Sequence, residues 1–346
     1  MRIALISDAW HPQINGVVTT LTNTCQTLER LGHTVELIAP DRFCTCPCPG
    51  YPEVGLAFLC GPRLRPIIDA FQPDAIHLAT EGPVGYAARR YCLYRGFHYT
   101  TSFHSHFPEY LKLRIGFPLG ISTAYLEWFH GKSTRVMVST ESLRRELTAK
   151  GYRRLVLWSR GIDTQLFRPR DKAFLQDRRP IFLFAGRVAI EKNVEAFLAL
   201  DLSGTKYIVG DGPQREDLAR RYPTARFVGF KKGEELARYM AAADVLVFPS
   251  LTDTFGLVIL EALACGVPVA AYPVQGPKDV ITDRRVGVLD HDLRQAAIVA
   301  LSLDPEDCRR HALQFSWENC TCQFVDNLTP MGEGFGSWWK RNLLYR

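Results

Sequence analysis

The sequence predicts an α/β protein with two doubly wound, parallel-sheet domains. Short β-branched runs alternate with amphipathic helical segments along the chain, as in parallel strands joined by helices. The alternation stops in a charged stretch with two prolines, residues 160–180, and restarts immediately afterwards. A length of 346 residues also favours two domains over one. We expect domains at 1–168 and 169–328, and a tail at 329–346 that packs on the first domain.

The first domain opens with a buried strand, followed by a helix over Val17–Leu31. The apolar residues of this helix share one face, and Gly32 is placed to end it. The predicted strands of this domain are RIALIS, TVELIAP, DAIHLAT, HYTTSF, RVMVS and RLVLWS.

The second domain repeats the alternation, with a helix after each predicted strand. Its strands are PIFLFAGR, TKYIVG, ARFVGF, ADVLVFPS and PVAAYP. Ligands of such sheets bind beyond the carboxyl ends of the strands. Two domains of this kind facing each other would hold the ligand in a cleft between them.

Composition limits the class of protein. No run reaches the roughly 18 apolar residues of a membrane-spanning helix, and the apolar N-terminal run is too short for a signal peptide. We therefore expect a cytoplasmic protein, whose ten cysteines form no disulfide framework. Cys25, Cys92 and Cys265 fall on apolar helix faces as core thiols. A Pro-rich loop carries a thiol cluster that matches no standard zinc spacing and whose role stays open: Cys44, Cys46, Cys48 and Cys60.

The net charge of +6 lies mostly in residues 1–165, which suggests an anionic partner for the first domain. The basic residues lack the interleaved aromatic side chains of a nucleic-acid surface, so we expect no nucleic-acid partner. An anionic membrane surface fits better. Basic and apolar residues are mixed in Tyr110–Lys132 and again near Trp338 and Trp339. An ordinary amphipathic helix is the alternative for the first of these segments.

Two strand ends of the second domain carry candidate anion-binding residues. Gly186 and Arg187 end one strand, and Lys192 opens the following helix. A cation is disfavoured at a helix N-terminus and needs a partner, which favours phosphate over a merely solvated side chain. The next strand ends in Gly210-Asp211-Gly212, where glycine allows a close ligand approach. The missing third glycine argues against a nicotinamide enzyme, and a plain turn is the alternative.

The segment TDTFGLVILEALACG carries two carboxylates. Thr254 is the predicted N-cap of a helix over Phe255–Cys265, whose first amides, those of Phe255, Gly256 and Leu257, can bind a diphosphate. Glu261 lies roughly 7 Å further along the helix axis, within reach of ribose hydroxyls. Asp253 precedes the cap and would meet a sugar on the other side. The layout predicts a nucleotide diphosphate sugar.

These motifs resemble the retaining glycosyltransferases of family 4, and the likeness covers nearly the whole chain. The matching segments are WHPQINGVV, SFHSHFPEY, GRVAIEKN, VGDGP and TDTFGLVILEALACG. The last corresponds to the E-x7-E motif of the family, with Asp253 in place of the first glutamate. The resemblance implies the GT-B fold, in which two Rossmann-like domains face a central cleft.

The resemblance also implies roles for donor-binding residues. Arg187 and Lys192 would neutralise the leaving diphosphate, Asp253 would hold the transferred sugar, and Glu261 would hold the ribose. Gly16 would let a first-domain loop close over the phosphates.

On the acceptor side, His104 matches the active-site histidine of the family, with His106 as its neighbour. Glu81, at another strand end, is a further acceptor-side candidate. In the retaining route the leaving phosphate takes the acceptor proton, so no opposed pair of carboxylates is needed. No cofactor and no essential metal ion are expected. The D-x-D sequence at Asp290–Asp292 is interpreted as a helix cap at Asp292 rather than a metal site.

The details SLTDTFG, AAYPV-x-GP and HLATEGP resemble bacterial enzymes that glycosylate diacylglycerol or related glycolipids. The working hypothesis is transfer of a hexose from a UDP-sugar to a lipid, by an enzyme peripheral on the inner face of the membrane. The first alternative is a GDP-mannose-dependent mannosyltransferase acting on a lipid or glycan. A sugar-nucleotide-binding or glycan-binding protein without activity is the second, and only Asp253 favours it.

Overall fold

The computed structural model describes residues 1–13, 15–48, 51–104, 118–253 and 255–332, which form two compact units. The first unit contains Met1–His104, Gly120–Ser159 and the described residues from Cys320 onward. The second contains Arg160–Asn319. The contacts thus divide the chain after Ser159 and return it to the first unit at Cys320, whereas the sequence placed the boundaries after residues 168 and 328.

The first unit is built on a six-stranded sheet with parallel pairing throughout, in the order β2-β1-β5-β6-β7-β8. The strands are β1 (Arg2–Ile6), β2 (Thr34–Ile38), β5 (Ala75–Leu78), β6 (Thr100–Phe103), β7 (Val136–Val138) and β8 (Leu155–Leu157). Strands β1, β5 and β6 are buried almost along their whole length, as expected where helices cover both faces of a parallel sheet.

The helices of the first unit follow its strands. They are α1 (Gly16–Arg30), α2 (Cys60–Phe71), α3 (Pro83–Arg95), α4 (Leu119–His130) and α5 (Glu141–Ala149). The side chain of Asn15 caps α1 by accepting from the amides of Val17 and Val18, each at 3.0 Å. Gly32 follows the helix with a φ of +81°, as expected for a residue that ends a helix. Leu31, the last residue of the predicted helix, lies just after the end of α1 at Arg30, and its side chain is exposed.

The predicted Pro-rich cysteine loop is instead a strand. β3 (Cys44–Cys48) pairs antiparallel with β4 (Tyr51–Phe58) to form a separate two-stranded ribbon. Cys44 and Cys46 are exposed on it, and Cys60 is buried at the start of α2. Among the predicted core thiols, Cys92 and Cys265 are buried, but Cys25 is only partly covered.

The second unit has its own six-stranded parallel sheet, in the order β11-β10-β9-β12-β13-β14. Its central strand β9 (Ile181–Ala185) is buried along its whole length. The other strands are β10 (Thr205–Val209), β11 (Arg226–Gly229), β12 (Val245–Phe248), β13 (Val269–Ala271) and β14 (Gly287–Leu289).

Helices again connect these strands, and apolar clusters lie on both faces of the sheet. The helices are α6 (Val194–Leu198), α7 (Arg215–Arg221), α8 (Gly233–Ala242), α9 (Leu257–Ala264), α10 (Gln275–Val280), α11 (Leu293–Ala300) and α12 (Pro305–Ala312). The next helix, α13 (Trp317–Asn327), begins in the second unit, and its residues from Cys320 onward belong to the first. Short 3₁₀ turns lie at Pro40–Arg42, Lys172–Phe174 and Ile190–Lys192. Over the described part of the chain, every helix is too short or too polar to cross a lipid bilayer.

Candidate active site

The predicted donor-binding residues of the second unit lie where the strand order reverses. The chain runs outward from β9 through β10 to β11 and then returns to β12 on the other side of β9. Arg187 follows β9 and Asp253 follows β12, so both lie beyond the carboxyl ends of neighbouring strands. Ligands of open α/β sheets bind at such a reversal point.

Glycines allow the loop after β9 and the loop after β10 to pack closely against each other. Gly210 has a φ of +151°, and a Cβ atom there would lie 1.8 Å from the carbonyl oxygen of Gly186. The carbonyl oxygen of Asp211 accepts from the amide of Val188 at 2.8 Å, which joins the same loops again. The side chain of Asp211 is largely exposed and accepts from the amide of Gly212 at 2.8 Å. The predicted Gly-Arg and Gly-Asp-Gly turns therefore form one surface.

Lys192 and Asp253 form an ion pair across the reversal point. Nζ of Lys192 lies 2.5 Å from Oδ1 of Asp253, and less than a quarter of either side chain is exposed. The interpretation that Lys192 opens a helix is wrong: it ends a 3₁₀ turn, and α6 begins only after Asn193. The carboxylate of Asp253 is therefore a partner of the Lys192 ammonium group, for which the sequence suggested a phosphate. The other carboxylate oxygen of Asp253, Oδ2, is buried without a hydrogen-bond partner among the described residues.

The loop that carries Asp253 is fastened on both sides. The hydroxyl groups of Ser250 and Thr252 donate to the carbonyl oxygen of Glu191, and the side-chain amide of Asn193 donates to the carbonyl oxygen of Pro249. From the opposite side, the backbone N–H of Gly276 donates to the carbonyl oxygen of Asp253 at 3.2 Å. Hydrogen bonds to neighbouring backbone and side chains thus position the loop of the Lys192–Asp253 pair.

The helix after Asp253 begins later than the sequence predicts. α9 starts at Leu257 rather than Phe255, and its N-cap position is Gly256, which has a φ of +85°. Phe255 places its side chain in the apolar core. The predicted N-cap, Thr254, lies outside the described residues. The amide of Ile259 donates to the carbonyl oxygen of Gly256 at 2.9 Å. The amides of Leu257 and Val258 have no carbonyl four residues earlier within the helix, so they can meet an anion.

Glu261 lies in the second turn of α9 and is partly covered by its surroundings. Burial raises the pKa of its carboxyl group to about 7. The pKa of the neighbouring Cys265 thiol is also raised, to about 12, first by its own burial and then by Glu261. A carboxyl group whose pKa lies near 7 can accept hydrogen bonds from hydroxyl groups. These hydrogen bonds stabilise its anionic form.

The first unit has an equivalent reversal point between β1 and β5. Asp8 follows β1 there and accepts from the amides of Val84 and Gly85, at 2.7 and 3.2 Å, at the start of α3. The hydroxyl group of Thr80 donates to it at 2.9 Å. Burial raises the pKa of Asp8 to about 6 against these hydrogen bonds. The sequence analysis did not single out Asp8, although a carboxylate directly after the first strand was a visible signal.

Glu81 is held close to a buried histidine. Its Oε1 lies 3.3 Å from Nε2 of His130, a ring that is almost fully buried. Nδ1 of His130 lies 2.9 Å from Oγ1 of Thr101, and the hydroxyl group of Tyr125 donates to the carbonyl oxygen of Glu81. The structure therefore places Glu81 at the first-unit reversal point with a partner that sequence reasoning missed.

His104 follows β6, and Nε2 lies 2.8 Å from Oγ of Ser102. Its ring also packs edge-on against Trp158, with 5.5 Å between the ring centroids.

Gly16, predicted in a loop, is instead the first residue of α1. Asp292 caps α11 through the amide of Gln295, as predicted. His106, residues 110–117 of the Tyr110–Lys132 segment and the tail with Trp338 and Trp339 lie outside the described residues, whereas the rest of that segment forms α4 and the turn after it.

Comparisons with known proteins identify both halves of the chain. Residues 14–166 match the model of Glycosyltransferase Family 4, and residues 179–303 match that of Glycosyl transferases group 1. A GDP-mannose-dependent alpha-mannosyltransferase of Mycobacterium tuberculosis (strain CDC 1551 / Oshkosh) is 32% identical over 317 residues, which cover 84% of this chain and 83% of that protein.

Two further similarities extend over most of the chain. Alpha-monoglucosyldiacylglycerol synthase of Streptococcus pneumoniae (strain ATCC BAA-255 / R6) is 26% identical, over 90% of this chain and 81% of that protein. The structure of sucrose-phosphate synthase from Thermosynechococcus elongatus superimposes with a TM-score of 0.75 at 23% identity, covering 94% and 97% of the two chains, which supports the GT-B fold. The chain belongs to glycosyltransferase family 4 and is a glycosyltransferase with the GT-B fold.

Proposed function

We propose that the protein transfers mannose from GDP-mannose to a lipid acceptor, with retention of configuration. The 32% identity to the M. tuberculosis mannosyltransferase, over more than four fifths of both chains, carries the choice of donor. This reverses the order of the two donors in the sequence analysis, where a UDP-sugar came first. Named enzymes among the relatives also favour turnover over the binding-protein alternative.

In this proposal the second unit binds the donor at its reversal point. The first-turn amides of α9 bind the diphosphate together with Arg187, and Lys192 neutralises charge on the leaving group. Asp253 accepts a hydrogen bond from a mannose hydroxyl, and Glu261 accepts from the ribose. The pair between Lys192 and Asp253 supports this arrangement, because it sets the ammonium group and the sugar-binding carboxylate side by side.

The first unit binds the acceptor near its own reversal point. His104 and Glu81 lie at adjacent strand ends, β6 and β5, and are the groups assigned to the acceptor. The leaving phosphate takes the proton of the acceptor hydroxyl, so the first unit needs only to orient that hydroxyl. No metal ion has a part in this scheme.

A donor-by-acceptor assay tests the proposal. The purified protein is incubated with GDP-mannose, UDP-glucose or UDP-galactose and with vesicles that contain diacylglycerol or phosphatidylinositol. We expect released GDP and a lipid heavier by one hexose. A Lys192→Met variant should lose both products, whereas Lys150→Met, which removes a surface cation of the first unit, should keep them. Release of UDP with no turnover of GDP-mannose would overturn the choice of donor.

The second candidate is transfer of glucose from UDP-glucose to diacylglycerol. The similarity to the pneumococcal monoglucosyldiacylglycerol synthase favours it, because that similarity spans 90% of the chain. In the same assay this function predicts released UDP and a glucosylated diacylglycerol. A thermal-shift comparison separates the candidates independently, because only the matching nucleoside diphosphate should raise the melting temperature appreciably.

A membrane surface is the proposed partner of the first unit, at a surface formed by α3 and α4. Tyr86, Leu93 and Tyr94 of α3, and Ile121 and Trp128 of α4, are exposed. The rings of Tyr86 and Trp128 lie 5.8 Å apart, so the two helices present one continuous surface. Arg90 and Arg65 lie over two of its tyrosine rings. Aromatic and apolar side chains beside arginines suit the interface of an anionic bilayer.

Vesicle flotation tests this contact. We expect binding to vesicles that contain phosphatidylglycerol and much weaker binding to pure phosphatidylcholine. Ile121→Ser should weaken binding several-fold without changing the melting temperature, because this side chain is 60% exposed. Leu313→Ser, at a similarly exposed leucine of the second unit, is the matched control. An equal loss of vesicle binding in both variants would argue against a membrane contact at α3 and α4.

A further inference from the structure

A chain of hydrogen bonds runs from His104 into the core of the first unit. Oγ of Ser102 lies 2.8 Å from Nε2 of His104 and 3.1 Å from Nε2 of His77. Nδ1 of His77 lies 2.9 Å from Oγ1 of Thr100. His77, Ser102 and Thr100 are fully buried. Buried polar side chains in neighbouring central strands are costly unless each donor and acceptor has a partner.

The hydrogen-bond partners of Ser102 determine how protons are assigned in this network. The hydroxyl group of Ser102 donates to the carbonyl oxygen of Ala79, which can only accept. Oγ of Ser102 then has no second proton to give, so it accepts from both histidine rings. In this assignment His77 is protonated on Nε2. Its Nδ1 takes the hydroxyl proton of Thr100, because Oγ1 lies 2.9 Å from Nδ1 and 3.5 Å from its other acceptor, the carbonyl oxygen of Ile76. In the same assignment His104 donates from Nε2 to Oγ of Ser102, and a neutral ring then carries its lone pair on Nδ1.

Aromatic packing holds this arrangement in place. The ring of Trp158 lies edge-on to both histidines, with centroids 5.7 Å from His77 and 5.5 Å from His104. Phe324 packs against His77 at 5.0 Å and against Trp158 at 4.8 Å. Trp158 and Phe324 are fully buried, so His77 has little room to rotate.

We propose that Ser102 and His77 are positioning residues for His104. Ser102 selects the Nε2-protonated form of His104, and His77 holds the hydroxyl group of Ser102 in the orientation that does so. The ring of His104 then offers Nδ1 as its hydrogen-bond acceptor. The inference rests on the proposed function only in assigning His104 to the acceptor hydroxyl. The state of the ring itself follows from the contacts in the first unit.

Ring nitrogen chemical shifts of the full-length protein, labelled with ¹⁵N-histidine, test the proposal without an activity assay. We expect one Nε2-protonated form for His104 in the wild type. Ser102→Ala should give a mixture of both forms, and His77→Phe should shift the ratio less. His77→Gln, which keeps an N–H near the position of Nε2, should restore the wild-type pattern. Ser133→Ala, which removes another buried hydroxyl group of the same unit, is the control.

Activity gives a second, separable measurement. Ser102→Ala should lower kcat about tenfold and leave KM for the sugar nucleotide unchanged, because the donor binds to the other unit. An unchanged His104 spectrum in both Ser102→Ala and His77→Phe would overturn the proposal, even if both variants melt earlier. Should no tested donor turn over, the proposed function fails, while the spectra still decide the role of Ser102 and His77.

Discussion

Asp253 replaces the first glutamate of the E-x7-E motif. The shorter side chain, in place of the usual glutamate, meets Lys192 at 2.5 Å, and its second oxygen is buried without a partner among the described residues. An unpartnered buried carboxylate oxygen is costly unless a ligand donates to it. In the proposed function a sugar hydroxyl supplies that hydrogen bond.

The Lys192–Asp253 pair gives the first prediction. Asp253→Asn removes the charge but keeps the shape of the side chain, and we expect kcat/KM for the sugar nucleotide to fall about 100-fold. Asp253→Glu should keep more activity than Asp253→Asn, because it retains the carboxylate. The measurement is steady-state kinetics on the donor that turns over. Asp290→Asn, at a surface aspartate near α11, is the control, and similar rates in Asp253→Asn and Asp290→Asn would contradict the assigned role.

Glu261 predicts a pH dependence of stability. Burial raises the pKa of its carboxyl group from 4.5 in the unfolded chain to about 7. As the pH rises between these values, the unfolded chain loses its proton while the folded protein keeps it. The free energy of unfolding therefore falls over this range, by at most about 3 kcal/mol, and the fall ends above pH 7.

Glu261→Gln should remove this contribution. The variant should gain stability relative to the wild type between pH 4.5 and 8, by up to about 3 kcal/mol. Urea denaturation of the ligand-free proteins at several pH values measures the difference. Parallel pH profiles for the two proteins would show that the carboxyl group has an ordinary pKa.

At the scale of elements, the position of α10 fixes the loop that carries Asp253. Gly276 lies in the first turn of α10, and a Cβ atom there would lie 2.6 Å from the carbonyl oxygen of Asp253 and 3.0 Å from the amide nitrogen of Phe255. The backbone atoms at those distances cannot move aside as a flexible side chain would. Glycine is thus required for α10 to pack against the loop.

Gly276→Ala should displace the Asp253 loop. We expect kcat to fall at least tenfold and the melting temperature to fall by several degrees, because the added methyl group meets backbone on two sides. Gly61→Ala is the matched control: Gly61 lies in α2, and an added Cβ would have nothing within 4 Å. That control should keep full activity, and the helical alanine should add up to about 1 kcal/mol of stability. Equal behaviour of the two variants would contradict this account of α10.

Most strands of the two six-stranded sheets were predictable from sequence, but β14 and several contacts were not. β9 and β12 are continuous apolar runs, which a parallel sheet covered on both faces requires. The ribbon of β3 and β4 was missed because its prolines and cysteines resemble a loop. The start of α9 was misplaced because Gly256 takes a left-handed conformation, which sequence does not reveal. Asp253, the partner of Lys192, is 61 residues away in sequence. The two come together only because β9 and β12 are neighbours in the folded sheet.

At the scale of the whole molecule, the chain returns to the first unit after it has formed the second. Pro330 forms an antiparallel bridge with Ala75, the first residue of β5. The amide of Met331 donates to the carbonyl oxygen of Asp74 at 3.0 Å, and its side chain is buried in the first-unit core. The first unit is therefore completed only after the second has been synthesised.

Phe324 of α13 makes this return energetically important, because it is fully buried against His77 and Trp158. Phe324→Ala should cost about 3–5 kcal/mol by leaving a cavity beneath the central strands of the first unit. Phe197→Ala, at a fully buried phenylalanine of the second unit, should cost a similar amount. Calorimetry should resolve a separate transition for each unit, with each variant lowering a different one. If Phe324→Ala lowered the same transition as Phe197→Ala, or neither, the C-terminal helix would not be part of the first unit's folding core.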